Sequence, residues 1–91
     1  AASDVYKRQT HAFVKWLARK GAESGITVNS VAPGATATAM VQGAALDANR
    51  IPLRRMAQPR EIALPIAFLC SDGASYICGA TLDVNGGVYM N

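Results

Sequence analysis

Two short runs rich in β-branched residues, ITVNSVA at 26–32 and TLDV at 81–84, each follow a stretch with apolar residues at helical spacing. Each is closed by residues that cannot continue a strand, Pro33 and Gly34 after the first, Gly86 and Gly87 after the second. An order of helix, strand, loop, helix, strand predicts parallel strands, because a tight hairpin can join only antiparallel ones. Two parallel strands alone leave two unpaired edges and a face that is hard to cover. The pattern therefore reads as part of an α/β layer that needs further strands. In the first helix, expected over 10–22, Phe13, Leu17 and Ala18 share a face, with His11, Lys15, Arg19 and Lys20 mostly elsewhere; Gly21 and Gly25 close it. The second helix is expected to start at Pro59, with Glu61 at its positive end and an apolar stripe of Ile62, Ile66, Phe68 and Leu69, ending near Ser71. Pro65 should bend it by disturbing the bond to the Glu61 carbonyl, unless the helix starts late. Residues 35–56 are rich in Ala and broken by Gly43, Asp47, Asn49 and Pro52, which predicts short helical pieces in a mobile lid. Residues 71–79 read as a turn with a short apolar step at Tyr76 and Ile77.

Composition narrows the function classes. A chain of 91 residues can form one small domain with a thin core, and 51% hydrophobic against 16% charged residues argues against disorder. No apolar run approaches the roughly 18 residues that a membrane span needs. The net charge of +3 is spread along the chain with few aromatics between the cations, so no nucleic-acid partner is expected. Cys70 and Cys78 lack a CxxC spacing and no leader-like stretch is read before them, so they are expected as reduced, cytoplasmic thiols; both, and Phe68, are expected in the core. With only a distant His11 they make no tetrahedral metal set. His11 itself is expected to face solvent rather than to act as a base. Arg54 and Arg55 read either as a solvated pair or as an attractor for an acidic carrier or a cofactor phosphate.

The run ITVNSVAPGATAT at 26–38, followed from Arg55 by RMAQPREIALPIAFLCSDGASYICGATLDVNGG, resembles the short-chain dehydrogenase/reductase family, close to its 3-oxoacyl-carrier-protein-reductase-like branch. The resemblance covers about residues 10–91 and rests on two motifs in the right order and spacing. It implies the C-terminal part of a Rossmann-type doubly wound parallel sheet, the C-terminal portion of a single NAD(P)-binding domain, with NAD or NADP as cofactor. It implies hydride transfer between that cofactor and a small-molecule carbonyl or alcohol, or an acyl-carrier substrate, in a homo-oligomer, a tetramer in the family. Pro33, Gly34, Thr36 and Thr38 fall just past the strand's carboxyl end, where ligands sit in such sheets. The family's counterpart of Thr36 holds the nicotinamide carboxamide through its backbone, and that of Thr38 offers a hydroxyl to the same end. Taken by composition alone, PGATAT is a strand-ending turn of small residues. Asn29 is read as a residue that holds neighbouring backbone. Trp16 and the GGVYMN tail, with Tyr89 and Met90, would lie on oligomer surfaces, Trp16 reading equally as core.

The chain departs from the family in its catalytic part. The family carries Tyr-x-x-x-Lys on the helix before this strand, the Lys lowering the phenol's pKa for acid–base work. Counted back from Asn29, Lys7 falls at the Lys position, yet Ser3 stands four residues earlier and the only nearby phenol, Tyr6, is adjacent. Residues 1–9, AASDVYKRQ, are expected to be a foreign or junction segment. No GxGxxG or GxxxGxG occurs, so a pyrophosphate-binding turn is not expected here. Ala57 stands where the family usually has Gly, and Asn85 where it commonly has Asp. These departures predict a segment that supplies the nicotinamide-end turn, lid and assembly surface without catalysing alone. The alternatives are a non-enzymatic module binding a partner along its strand edges, or a truncation product without function.

Overall fold

A computed structural model describes residues 2–37 and 48–90. In chain order it contains helix α1 (Ala2–Ala22), strand β1 (Ser30–Pro33), a 3₁₀ turn at Ala48–Arg50, helix α2 (Pro59–Leu69), a second 3₁₀ turn at Asp72–Ala74 and strand β2 (Thr81–Val84). The strands form a two-stranded sheet. Ser30 N–H donates to Ala80 O at 2.9 Å and Gly34 N–H to Val84 O at 3.0 Å, the same offset at both ends, as in parallel strands. The chain divides into two compact units, Ala1–Ser30 with Leu69–Leu82, and Val31–Phe68 with Asp83–Asn91.

In the first unit α1 begins at Ala2, eight residues before the expected start at residue 10. The Ala, Arg, Lys and Gln of the opening residues are good helix formers and no Gly or Pro interrupts them. The helix stops in a Schellman motif: Ile26 N–H donates to Gly21 O at 2.9 Å and Gly25 N–H to Ala22 O at 3.0 Å. Gly25 takes φ 73°, a conformation in which a Cβ would be strained. Val14 and Ala18 are buried, as is Ala74 of the second 3₁₀ turn. The buried face of α1 thus runs through residues 14 and 18; Phe13, expected on it, is 59% exposed and stacks on Trp16 with ring centroids 6.4 Å apart. His11 is half-buried, not open to solvent as expected.

β1 is shorter than the expected strand over 26–32. Val28 O accepts from Gly79 N–H at 2.7 Å, and the Asn29 side chain then takes over the ladder, donating from Nδ2 to Ile77 O at 3.0 Å and accepting from Ala80 N–H at Oδ1 at 3.0 Å. A carboxamide has the donor and acceptor of a peptide group, so Asn29 stands in for one where the backbones diverge. It holds neighbouring backbone, as read from the sequence. Ser30 Oγ and Thr81 Oγ1 lie 2.8 Å apart beside it. Cys70 and Cys78 are free and exposed, a correction to their expected burial, although Cys78 Sγ lies 3.8 Å from Ala18 O.

In the second unit α2 starts at Pro59, as expected, with Pro65 inside it. None of its residues is buried, and Ile66 and Phe68 of the expected apolar stripe are exposed. A helix stripe is buried only against another layer, and a two-stranded sheet supplies little of one. Ile51 is the buried apolar side chain of this unit among the described residues. No described helix is long and apolar enough to cross a membrane.

Candidate functional site

The carboxyl ends of β1 and β2 are both in the second unit, with the segment 48–58 and the start of α2. Beyond β1 the chain runs Gly34, Ala35, Thr36, Ala37. Thr36 pairs with Ala57 in a single parallel bridge, in which Ala57 N–H donates to Ala35 O at 3.0 Å and Ala37 N–H to Ala57 O at 2.7 Å. In a parallel ladder successive residues turn their peptide groups to opposite sides. Ala57 spends both of its own on the neighbours of Thr36, so the Thr36 N–H and C=O face away from it. A donor and an acceptor of one residue, side by side, complement a primary carboxamide. The Thr36 hydroxyl is engaged locally, donating to Gly34 O at 3.1 Å.

Gly34 has a steric reason to be glycine. A Cβ built on it would stand 2.8 Å from both Cα and Cβ of Asn85, where β2 ends. The two strand ends approach within backbone contact, and Pro33, which has no N–H to give a ladder, closes β1 just before that point.

After β2, Asn85 organises the glycine pair. Its Oδ1 accepts from Gly87 N–H at 3.0 Å and its Nδ2 donates to Tyr89 O at 3.1 Å. An Asp would keep the first bond and lose the second, since an ionised carboxylate donates nothing. Leu53 N–H donates to Gly86 O at 3.1 Å, tying the base of the expected lid to this turn. Arg54, the next residue, takes φ 58°. A cleft of about 140 Å³ opens among these elements, lined by Ala35, Ile51, Leu53 and Val84 with Arg55 and Glu61 at its polar side.

Arg55 is no free cation. Its Nη1 and Nη2 donate to Glu61 Oε1 and Oε2 at 2.6 and 2.8 Å, a bidentate pair. Glu61 Oε1 also accepts from Gln58 N–H at 2.9 Å, the carboxylate half of a capping box at the start of α2. The Arg55 hydrogen bond first, and the Gln58 N–H next, hold the Glu61 carboxyl down to about 2. Sequence reading took Arg54 and Arg55 together and missed this pair. The available signal was Gln58 followed three residues later by Glu61, a capping-box spacing with Gln in place of Ser or Thr.

Of the residues singled out in the sequence, Pro33, Gly34 and Thr36 come together at the end of β1, and Thr38 lies outside the described residues. Lys7 is exposed on α1, in the other unit, beside the exposed Tyr6. Consecutive helical residues point about 100° apart, so the two do not form the pair that a spacing of four would give. Among the described residues no group of His, Cys, Asp and Glu could hold a metal ion.

A parallel strand pair with helices and a glycine-punctuated crevice past its carboxyl ends is consistent with part of a Rossmann-like α/β layer, and comparison with known families identifies the class. The family model described as enoyl-(acyl carrier protein) reductase matches residues 1–89, and the chain belongs to the short-chain dehydrogenase/reductase family. It is 47% identical over 90 residues to an acetoacetyl-CoA reductase of Allochromatium vinosum, covering 93% of this chain and 37% of that protein. It is 49% identical over 84 residues to a 3-oxoacyl-[acyl-carrier-protein] reductase of Vibrio cholerae (86% and 34% covered), and 51% over 86 residues to an uncharacterized oxidoreductase of Bacillus subtilis (89% and 36%). The chain spans about a third of the length of these relatives.

Proposed function

We propose that this chain forms the nicotinamide end of the active site of an NAD(P)-dependent reductase whose substrate is a 3-oxoacyl thioester. The observation that carries the reading is the Thr36–Ala57 bridge, which turns one donor and one acceptor of Thr36 outward past the carboxyl end of β1. These would receive the nicotinamide carboxamide of NAD or NADP and so fix which ring face meets the substrate, with Pro33 and Gly34 shaping the turn and Thr38 adding a hydroxyl. When bound, the cofactor supplies the hydride. The thioester class is supported by the acetoacetyl-CoA and 3-oxoacyl relatives. Segment 35–56, of which residues 38–47 lie outside the described residues, is assigned as the substrate lid, and its Leu53 anchor on Gly86 supports that role. The exposed Phe13–Trp16 stack in the first unit and, separately, the exposed Tyr89 and Met90 in the second are assigned to oligomer surfaces. Tyr6 and Lys7 do not form an acid–base pair, residues 1–9 are read as a junction segment, and hydride transfer by the 91-residue chain alone is not expected.

The test is a chimaera in which residues 10–91 replace the matching segment of the Vibrio cholerae reductase. NADPH consumption with acetoacetyl-CoA is expected to continue. A folded, oligomeric chimaera that binds no dinucleotide sinks the reading.

A further inference from the structure

Ala57 holds the Thr36 turn through two hydrogen bonds, and something must in turn hold Ala57. The segment 56–58 is too short to be fixed by secondary structure of its own. It is flanked by Arg55 on one side and, through Gln58, by Glu61 on the other. We infer that the Arg55–Glu61 pair is a positioning clamp for the Thr36 turn, deepening the function proposed above, on which it rests. The carboxylate of Glu61 gathers three donors: Nη1 and Nη2 of Arg55 at 2.6 and 2.8 Å and the Gln58 N–H at 2.9 Å. Both ends of segment 56–58 are therefore tied to one carboxylate on the first turn of α2. Glu61 N–H closes the same loop by donating to Gln58 O at 2.9 Å. Between the ties, Ala57 presents its N–H and C=O to Ala35 and Ala37. Arg55 turns both terminal nitrogens to Glu61, and Nη1 also donates to Met56 O at 3.5 Å, which ties it to the segment itself and makes it a positioning residue. Lysine, a point charge with no planar fork, cannot replace it in the bidentate geometry.

Amide hydrogen exchange on the full 91-residue chain tests this without using cofactor or activity. In the parent, the Ala37 and Ala57 amides are protected. In Glu61→Gln and in Arg55→Gln their exchange is expected to rise on the order of tenfold, while the ladder amides of Ser30 and Gly34 keep their rates. The double variant is expected to be no worse than Glu61→Gln, because that change already removes the pair. Arg55→Lys is expected to recover only part of the protection. Four results overturn the inference: unchanged exchange at Ala37 and Ala57 in both single variants, a uniform rise that includes Ser30 and Gly34, additive losses in the double variant, or no protection of these amides in the parent. Failure of the functional reading looks different: the clamp and its exchange pattern persist, and the chimaera still binds no dinucleotide.

Discussion

Gly34→Ala isolates the close approach of the two strand ends. Gly34 is absent from the positive-φ residues, so alanine meets no conformational penalty there and contact decides the outcome. The new methyl would stand 2.8 Å from Asn85 Cα and Cβ and 3.4 Å from Asn85 O. Carbon atoms settle at 3.5–4.0 Å, so the strand ends must part by roughly 0.7 Å or more. Forcing an extra methyl into a packed site costs about 1–3 kcal/mol. Against this, alanine lowers the entropy of the unfolded chain and gains about 0.4–1 kcal/mol. The clash wins, with a net loss of about 1 kcal/mol and an upper bound near 2.5 kcal/mol. For a domain of this size that is a fall in Tm of roughly 4–8 °C per kcal/mol. Thermal unfolding followed by far-UV circular dichroism reads it directly. Adding Asn85→Ala should not rescue the variant, because the Cα and Cβ that are struck remain. Gly25→Ala is the complementary control, with φ 73° and no atom within 4 Å, so that any loss there is conformational. A Gly34→Ala chain as stable as the parent, or a full rescue by Asn85→Ala, would refute the reasoning.

Two further outcomes follow from the same region. Arg54 holds φ 58° without being glycine, which costs about 1–2 kcal/mol; Arg54→Gly should therefore stabilise the chain by up to about 1.5 kcal/mol after the entropic cost of a glycine, and Arg54→Val should destabilise it. A urea midpoint that falls for Arg54→Gly would count against this. Glu61 titrates near 4.5 when unfolded and is held down to about 2 in the fold. Its folded pKa is the lower one, so its stabilisation is complete above about 4.5 and is lost as pH falls towards 2. The difference in urea midpoint between the parent and Glu61→Gln should be constant above that window and shrink within it; a difference independent of pH sinks the assignment.

What could be read in the sequence was what local chemistry decides alone. β2 falls where TLDV lies between Gly79 and Gly86, and α2 starts at Pro59, because strand and helix boundaries there are set by Pro and Gly. β1 proved shorter because an asparagine side chain replaces a peptide group in the ladder, and periodicity does not register that substitution. The burial of Phe68, Cys70 and Cys78 was misjudged for a different reason. Their apolar setting describes a helix and a turn that need a second layer, and the described residues supply two strands. In the candidate site, Pro33 and Gly34 announced a turn past a strand end. The Thr36–Ala57 bridge had no signature, since a pairing one residue long has no period. The Arg55–Glu61 pair spans six positions across the start of a helix, outside the three or four that helical pairing rules cover.

The strand-end region is shaped mainly by main-chain groups, and this sets where substitutions matter. Ala57 binds both neighbours of Thr36, Leu53 binds Gly86, and Gly34 binds Val84, all through peptide groups that any non-proline residue would retain. Side chains also reach backbone here: Asn85 to Gly87 and Tyr89, Glu61 to Gln58, Thr36 to Gly34 and Arg55 to Met56. A substitution at Ala35 or Ala57 that keeps the N–H therefore preserves the bridge as long as the new side chain fits the cleft. A change at Asn85 or Glu61 alters the backbone path itself. Ala57 in place of the family's usual glycine illustrates the first case, for it keeps both bonds to the Thr36 turn. The peptide groups aimed outward at Thr36 are set by the bonds of its neighbours Ala35 and Ala37 to Ala57 rather than by the threonine side chain, whose hydroxyl is already bound to Gly34 O.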